Sequence, residues 1–244
     1  MKQIKDNNYI EGLFSKVAAK YDFLNHLLSL NMDKKWRRKL VRQAGLKPGL
    51  RILDVCTGTG DIAIEFLKRN PSSEIVGIDL TEKMLDIARK KVSAMGFHGK
   101  IKLETGDCLD LPFDDQTFDI VTIGFGLRNL SHYEKGLAEI VRVLKKEGQL
   151  LVLEFSMPQN FLFSRIYRFY LNRIIPFIGG IVSRFDPAYN YLSFSIQDFF
   201  NKQDVLELMR KSGLEKTCLF PLTGGVVTIY HGEKKNKYCN YSGR

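Results

Sequence analysis

A chain of 244 residues that is 44% hydrophobic and 26% charged has the size and balance of one α/β domain with a full core and an added cap, which excludes extended disorder away from its ends. Cys56, Cys108, Cys218 and Cys239 are scattered without C-x-x-C spacing, and His26, His98, His132 and His231 form no paired motif, so neither a disulfide framework nor a metal site is expected. The net charge of +10 suits an anionic partner, nucleic acid or an acidic membrane surface, unless it is only a solvated basic face.

Met1 to Asp6 is too polar for a signal peptide, and the longest nearly uncharged apolar stretch, Ile174 to Val182, is too short to span a bilayer, so a cytoplasmic location is expected. Residues Tyr9 to Leu46 read as helical, with Lys34, Lys35, Arg37, Arg38, Lys39 and Arg42 around the single Trp36. Such a segment can close over a cleft as a lid while showing its charges to a surface. Ile52-Leu53-Asp54-Val55 then reads as a strand buried on both faces, running into the turn Cys56-Thr57-Gly58-Thr59-Gly60-Asp61, whose glycines let a ligand approach the backbone. Nineteen residues past Gly60, the strand Ile75-Val76-Gly77-Ile78 ends in Asp79, whose carboxylate can accept both hydroxyls of a ribose. Strand, glycine turn and acid in this order mark a nucleoside site. Gly58-Thr59-Gly60-Asp61-Ile62-Ala63 also satisfies G-x-G-x-x-G/A, so an NAD-dependent dehydrogenase is the first rival. Asp54 either orients the glycine loop and attracts a cationic ligand or is purely structural.

Ile101 to Glu104 is a third strand, and Gly106-Asp107-Cys108 after it puts a carboxylate within reach of an adenine amino group. Phe118 to Ile123 is a fourth strand, and a helix closed by Arg142 to Gly148 leads into a fifth, Gln149 to Phe155. This alternation predicts right-handed crossovers and a parallel sheet, with ligands beyond the strands' carboxyl ends. Asn129-Leu130-Ser131-His132 reads as a helix start, with His132 a surface or capping residue. Glu154, at the fifth strand's end, either borders the cleft or caps a helix. Phe161 to Phe200 holds twelve of the 28 aromatic residues, and its basic residues are Arg165, Arg168, Arg173 and Arg184. It reads as a helical cap burying its own aromatics, as an apolar slot with arginines toward lipid phosphates, or as both. Leu214 to Pro221 and Val226 to Gly232 flank Thr223-Gly224-Gly225 as a closing hairpin, the last strand antiparallel.

The order from Arg51 to Phe155 resembles class I S-adenosylmethionine-dependent methyltransferases, with Cys56 in place of the first glycine of their D-x-G-x-G-x-G turn. Phe14-Ser15-Lys16-Val17-Ala18-Ala19-Lys20-Tyr21-Asp22-Phe23-Leu24-Asn25, Phe125-Gly126-Leu127-Arg128-Asn129 and Leu153-Glu154-Phe155-Ser156-Met157-Pro158 resemble signatures of one family, the demethylmenaquinone and ubiquinone-precursor C-methyltransferases. A non-glycine at the Cys56 position is ordinary in that family, and the similarity runs on to Thr223-Gly224-Gly225-Val226-Val227.

The resemblance implies a single α/β domain of Rossmann-like class I methyltransferase fold over residues 1–244, with a mostly parallel seven-stranded sheet, an antiparallel last strand and helices on both faces. Residues 1–46 would be a helical lid, 51–155 the cofactor-binding core, 156–200 the inserted aromatic cap, 201–233 a helix and hairpin, and 234–244 a frayed tail. It implies S-adenosyl-L-methionine as cofactor, contacted by Gly58, Thr59, Gly60, Asp79, Asp107, Cys108 and, through its backbone, Gly124, where the family often has serine. The acceptor would be a polyprenylated demethylmenaquinol, with a ubiquinone-precursor quinol as a second substrate. Catalytic roles would fall to Arg128, steadying a phenolate, to Asn129, donating to a ring oxygen, and to Tyr21 and Asp22, closing the lid and relaying a proton. The plain alternative for Arg128 is a salt bridge that braces its loop.

A methyltransferase acting on RNA or another small molecule is the enzymatic alternative, but no N/D-P-P-Y/F loop or Pro-Cys nucleophile follows the fourth strand. A noncatalytic membrane-binding or RNA-binding module would leave Asp79 and Asp107 without purpose. The expected partners are the quinol and, transiently, the anionic inner face of a membrane, with no nucleic acid. Oligomeric state stays open.

Overall fold

The computed structural model describes residues 6–183 and 186–235. The expectations placed on Arg184, Cys239 and residues 236–244 lie outside the described residues. Five strands run parallel: β1 (Arg51–Val55), β2 (Glu74–Asp79), β3 (Ile101–Thr105), β4 (Phe118–Gly124) and β5 (Leu144–Phe155). The hairpin of β6 (Leu214–Leu222) and β7 (Val227–Lys234) completes a seven-stranded sheet in the order β3-β2-β1-β4-β5-β7-β6, with β7 antiparallel to both neighbours. The expected antiparallel last strand is therefore present, between β5 and β6.

Helices cover both faces because the strands are apolar on both. Along β1, Ile52 enters one core with Leu40, Val41 and Phe66, while Leu53 and Val55 enter the other with Leu137, Ile140 and Met209. The first core is closed by α1 (Asn7–Leu28), α2 (Met32–Gln43) and α3 (Asp61–Arg69); the second by α5 (Tyr133–Val143) and α9 (Lys202–Lys211). Each such side chain contributes about 1.5–3 kcal/mol on burial, so neither face of β1 can be left open. The strand order reverses between β1 and β4, and the carboxyl ends of β1, β2 and β4 open a crevice at that switch point.

Two boundaries differ from the sequence expectation. Tyr9 to Leu46 is two helices, broken where Leu30 and Asn31 take φ of 51° and 59°; Ser29 Oγ donates to Asp33 Oδ1 (2.8 Å) across the break. The helix expected to close over Arg142 to Gly148 ends at Val143, and β5 begins at Leu144. There β5 bulges against β4, with Glu147 at φ 60° and Lys145 Nζ bound to both oxygens of Asp119. A Cβ on Gly148 would lie 2.9 Å from the Lys145 carbonyl oxygen, so the bulge needs glycine.

The cap runs through α6 (Phe161–Phe169), a π-helical stretch (Tyr170–Ile174), α7 (Ile175–Ser183) and α8 (Asp186–Asp198). Its aromatics divide: Tyr167, Tyr189 and Tyr191 are buried, as a cap burying its own aromatics requires, whereas Phe161, Phe169 and Phe177 are 61–80% exposed.

Candidate active site

Where β1 ends, Cys56 turns into the left-handed region at φ 54°, the conformation a glycine would adopt most easily, and Gly58 and Gly60 follow at 56° and 81°. The turn aims the Gly58 N–H at Asp79 Oδ2 (2.8 Å), and the Thr81 N–H donates to Oδ1 (2.9 Å). Burial raises the Asp79 pKa against the pull of these two bonds. Asp54, at the tip of β1, is pushed up to about 6 by burial, although the hydroxyls of Thr57 and Thr122 donate to it. Asp107 accepts from the Leu109 N–H and from Asn7 Nδ2 (2.7 Å), so the first turn of α1 reaches this acid. The neighbouring Cys108 thiol is buried and pushed up to about 12, hence neutral and unsuited to nucleophilic attack.

Three cavities meet over these strand ends. One of about 710 Å³ is lined by Asp79, Asp107, Cys108, Gly124 and Asn129. A second, about 350 Å³, is lined by Gly58, Thr59, Asp54, Asp61 and Arg37. The third, about 990 Å³, is walled by Trp36, Phe155, Tyr167, Tyr170 and Tyr191, with Arg128 at its wall. Tyr21 and Phe125 line all three. Phe125 holds φ 56°, a strained conformation for an aromatic residue, its ring tilted against Phe155 with centroids 4.6 Å apart and beside Trp36. The first two cavities fit the two ends of S-adenosyl-L-methionine: acids for ribose and adenine in one, a glycine turn and mixed charges for an amino acid in the other.

The expected cofactor contacts are thus gathered around one crevice, except that Gly60 lines none of the cavities and serves the turn. At Gly124 an added Cβ would lie 2.2 Å from Ile62 Cδ1, so that methyl fills the space a serine would take. The expected catalytic group is divided. Arg128 lines the large aromatic cavity, whereas Asn129 lines the cavity that holds Asp79 and Asp107 and accepts from Tyr191 Oη (3.0 Å). Tyr21 stands between them, its pKa raised by burial, so it is a hydrogen-bond donor at neutral pH. Asp22 lines none of these three cavities; it accepts from Thr59 Oγ1 (2.6 Å) and pairs with Lys91 Nζ (2.9 Å), clamping α1 to the glycine loop and to α4 (Glu82–Ala94).

The brace offered as the alternative for Arg128 exists. Its Nη1 pairs with Glu154 Oε1 (2.8 Å) and donates to the Phe125 carbonyl (2.5 Å), while Nε reaches Ser195 Oγ (3.3 Å). Burial opposes the charge, but Glu154 wins and holds the guanidinium ionised. Nη2 has no protein acceptor among the described residues, which leaves one nitrogen of the fork, with its two N–H groups, for the cavity. Glu154, which the sequence left ambiguous, is fully buried and also accepts from the backbone N–H groups of Arg128 and Phe155. His132 is exposed at the N-cap position just before α5, where its helix-start pattern put it, and its side chain makes no capping hydrogen bond.

Sequence reasoning misplaced Arg37 among surface charges. Lys34, Lys35, Arg38, Lys39 and Arg42 are exposed, but Trp36 and Arg37 are buried, with Trp36 Nε1 donating to Thr223 Oγ1 (2.8 Å). The signal was the helical period: Asp33, Trp36, Arg37, Leu40 and Val41 occupy one face, and all five are buried.

Comparison with known proteins gives the same reading. A model of the ubiE/COQ5 methyltransferase family matches residues 1–234. The ubiquinone/menaquinone biosynthesis C-methyltransferase UbiE of Geobacter sulfurreducens is 45% identical over 226 residues, 92% of this chain and 88% of that one. The demethylmenaquinone methyltransferase of Thermus thermophilus is 43% identical over 222 residues, 91% of this chain and all of the relative. Among solved structures, a Thermotoga maritima S-adenosylmethionine-dependent methyltransferase, described as a possible histamine N-methyltransferase, shares the fold with a TM-score of 0.63 at 20% identity, over 92% of this chain and 99% of its own. With a glycine turn and two strand-end acids in place on that fold, the chain belongs to the ubiE/COQ5 methyltransferase family.

Proposed function

We propose that the protein transfers a methyl group from S-adenosyl-L-methionine to a ring carbon of a polyprenylated demethylmenaquinol, giving the menaquinol, and accepts a ubiquinone-precursor quinol as a second substrate. The observation that carries this reading is the 990 Å³ aromatic cavity meeting both cofactor cavities at Tyr21 and Phe125. A fused aromatic ring suits these walls, and the names of the relatives point to the same acceptor class.

When bound, the cofactor supplies an electrophilic methyl group with its own neutral leaving group, so the chain's task is placement and charge. A quinone ring is electrophilic, and only its reduced form, above all as phenolate, pushes electron density onto the ring carbon. That carbon bonds to the methyl as the carbon–sulfur bond breaks, and the hydrogen it carried leaves as a proton. Arg128, anchored by Glu154, offers Nη2 to the phenolate oxygen; with its very high pKa it steadies the anion and positions a water rather than accepting the proton. Tyr21 closes the junction and donates to the same oxygen. Asn129, held by Tyr191, completes the wall on the cofactor side.

A long prenyl tail keeps the quinol in a bilayer, so the enzyme docks transiently on an anionic membrane. Among the described residues no helix is long and apolar enough to cross a membrane. The exposed Phe161, Leu162, Ile166, Phe169 and Phe177, interleaved with exposed Arg165, Arg168 and Arg173, support docking through α6 and α7. Mass spectrometry of the quinone pool in cells lacking this protein tests the function: a species one methyl short should accumulate, and an unchanged pool refutes the assignment.

A further inference from the structure

The cavity at the amino-acid end of the cofactor site contains a charge that the glycine turn does not account for. Arg37 enters it from α2, outside the strand-and-helix core, and is buried. Its Nη1 is anchored by Asp33 and lies 3.5 Å from Asp61 Oδ2, and its guanidinium lies over the Phe125 ring, 5.9 Å from the centroid. One corner of the fork is therefore fixed, and its plane rests on an aromatic face. Nε and Nη2 have no protein acceptor among the described residues, and neither is sealed from accessible space. Together they form the side-on edge of the guanidinium, the edge that binds a carboxylate through two parallel hydrogen bonds. The same cavity carries the carboxylates of Asp54 and Asp61, so both signs of charge line one small space.

We infer that Arg37 is the receptor for the α-carboxylate of S-adenosyl-L-methionine, with Asp54 and Asp61 answering its α-ammonium. A zwitterion matches this pair of opposite charges, whereas a nucleoside without an amino acid leaves the Arg37 edge unanswered. The lid helix then senses the far end of the cofactor, and the acids of β2 and β3 the near end. Because Arg37 also lines the aromatic cavity, the rival role is a contact to the quinol, and a pure brace between Asp33 and Asp61 is the other.

Calorimetry on the full chain separates these roles with three probes: S-adenosyl-L-methionine, its decarboxylated analogue, which lacks only the carboxylate, and 5′-methylthioadenosine, which lacks the whole amino acid. The wild type should bind S-adenosyl-L-methionine roughly tenfold or more tighter than the decarboxylated analogue, the scale of a lost charged hydrogen-bond pair. Arg37→Lys keeps a cation beside Asp33 and Asp61 for folding but lacks the fork; it should lose most of that advantage while its affinity for the other two probes moves less than about twofold. Equal wild-type affinities for the full and decarboxylated compounds overturn the inference without any variant. Equal weakening of all three probes in Arg37→Lys shows a brace, and no weakening of any shows a role outside cofactor binding; both refute it. A wild type that binds none of the three refutes the cofactor assignment itself.

Discussion

Asp54 and Asp79 stand at the tips of adjacent strands, and burial works against the charge of each. For Asp54, raised from 3.8 to about 6, the native state keeps its proton to higher pH than the unfolded chain does. Its contribution to stability therefore falls as pH rises between those values, and the full penalty, about 3 kcal/mol at ~1.4 kcal/mol per unit, is present above them. Asp33 and Asp61, lowered by Arg37 despite burial, act in the opposite sense, so the difference between two proteins isolates Asp54. Urea unfolding should show Asp54→Asn gaining stability relative to wild type from pH 4.5 to 7.5; a pH-independent difference contradicts a buried, raised carboxyl. At the acceptor side, Arg128→Lys should lower kcat roughly 10²-fold, the scale of one lost oxyanion donor, with S-adenosylhomocysteine affinity nearly unchanged in calorimetry. A variant that loses cofactor affinity but keeps turnover would place Arg128 in the cofactor site. The strand-end acids were legible because chain order and an apolar run announce them. Arg37 and Glu154 were not, since their meaning lies in partners 24 and 26 residues away, Asp61 and Arg128.

Helix α1 is held at three places. Asn7 reaches Asp107, Asp22 engages Thr59 and Lys91, and Tyr170 Oη from the cap donates to the Leu28 carbonyl (2.5 Å). It runs past Asp107, the glycine loop and the aromatic cavity in turn, the placement a lid would need. Lys91 pairs with both Asp22 and Asp61, so Lys91→Met should lower the local opening free energy of α1 by about 1–3 kcal/mol, the value of charged hydrogen bonds. Hydrogen exchange should then rise in residues 7–28 while β1 and β4 keep their protection; unchanged exchange in α1 would show that the clamp is idle. The segment Tyr9 to Leu46 was readable as helical from its period, but its break was not, because Leu30 and Asn31 carry no glycine or proline to mark the turn. The expected helix over Arg142 to Gly148 failed for a similar reason. Lys145, Lys146 and Glu147 favour a helix locally, yet Phe118 pairs with Leu144 and draws the chain into the sheet.

Across the whole molecule, the exposed apolar residues of α6 and α7 share one segment with the arginines of α6 and of the π-helical stretch, an arrangement that suits a lipid surface. Basic residues beside anionic lipid contribute about 1 kcal/mol each, falling off within a Debye length of about 8–10 Å. The protein should co-sediment with anionic vesicles at low salt, far less with neutral ones, and should be released by added salt. Replacing Arg165, Arg168 and Arg173 by Gln should weaken vesicle binding while sparing turnover of a short-tailed quinol; normal vesicle binding by that variant refutes docking through this face. The mostly parallel sheet was readable because alternating strands and helices admit few topologies, whereas the cap's aromatics offered burial and exposure equally and needed the fold to divide them. The most direct measurement is transfer of a labelled methyl group from S-adenosyl-L-methionine to three acceptors: a short-tailed demethylmenaquinol kept reduced, the same compound as quinone, and tRNA. One methyl on the ring carbon of the reduced compound alone is the predicted result; equal labelling of the quinone, or labelling of tRNA instead, contradicts the account.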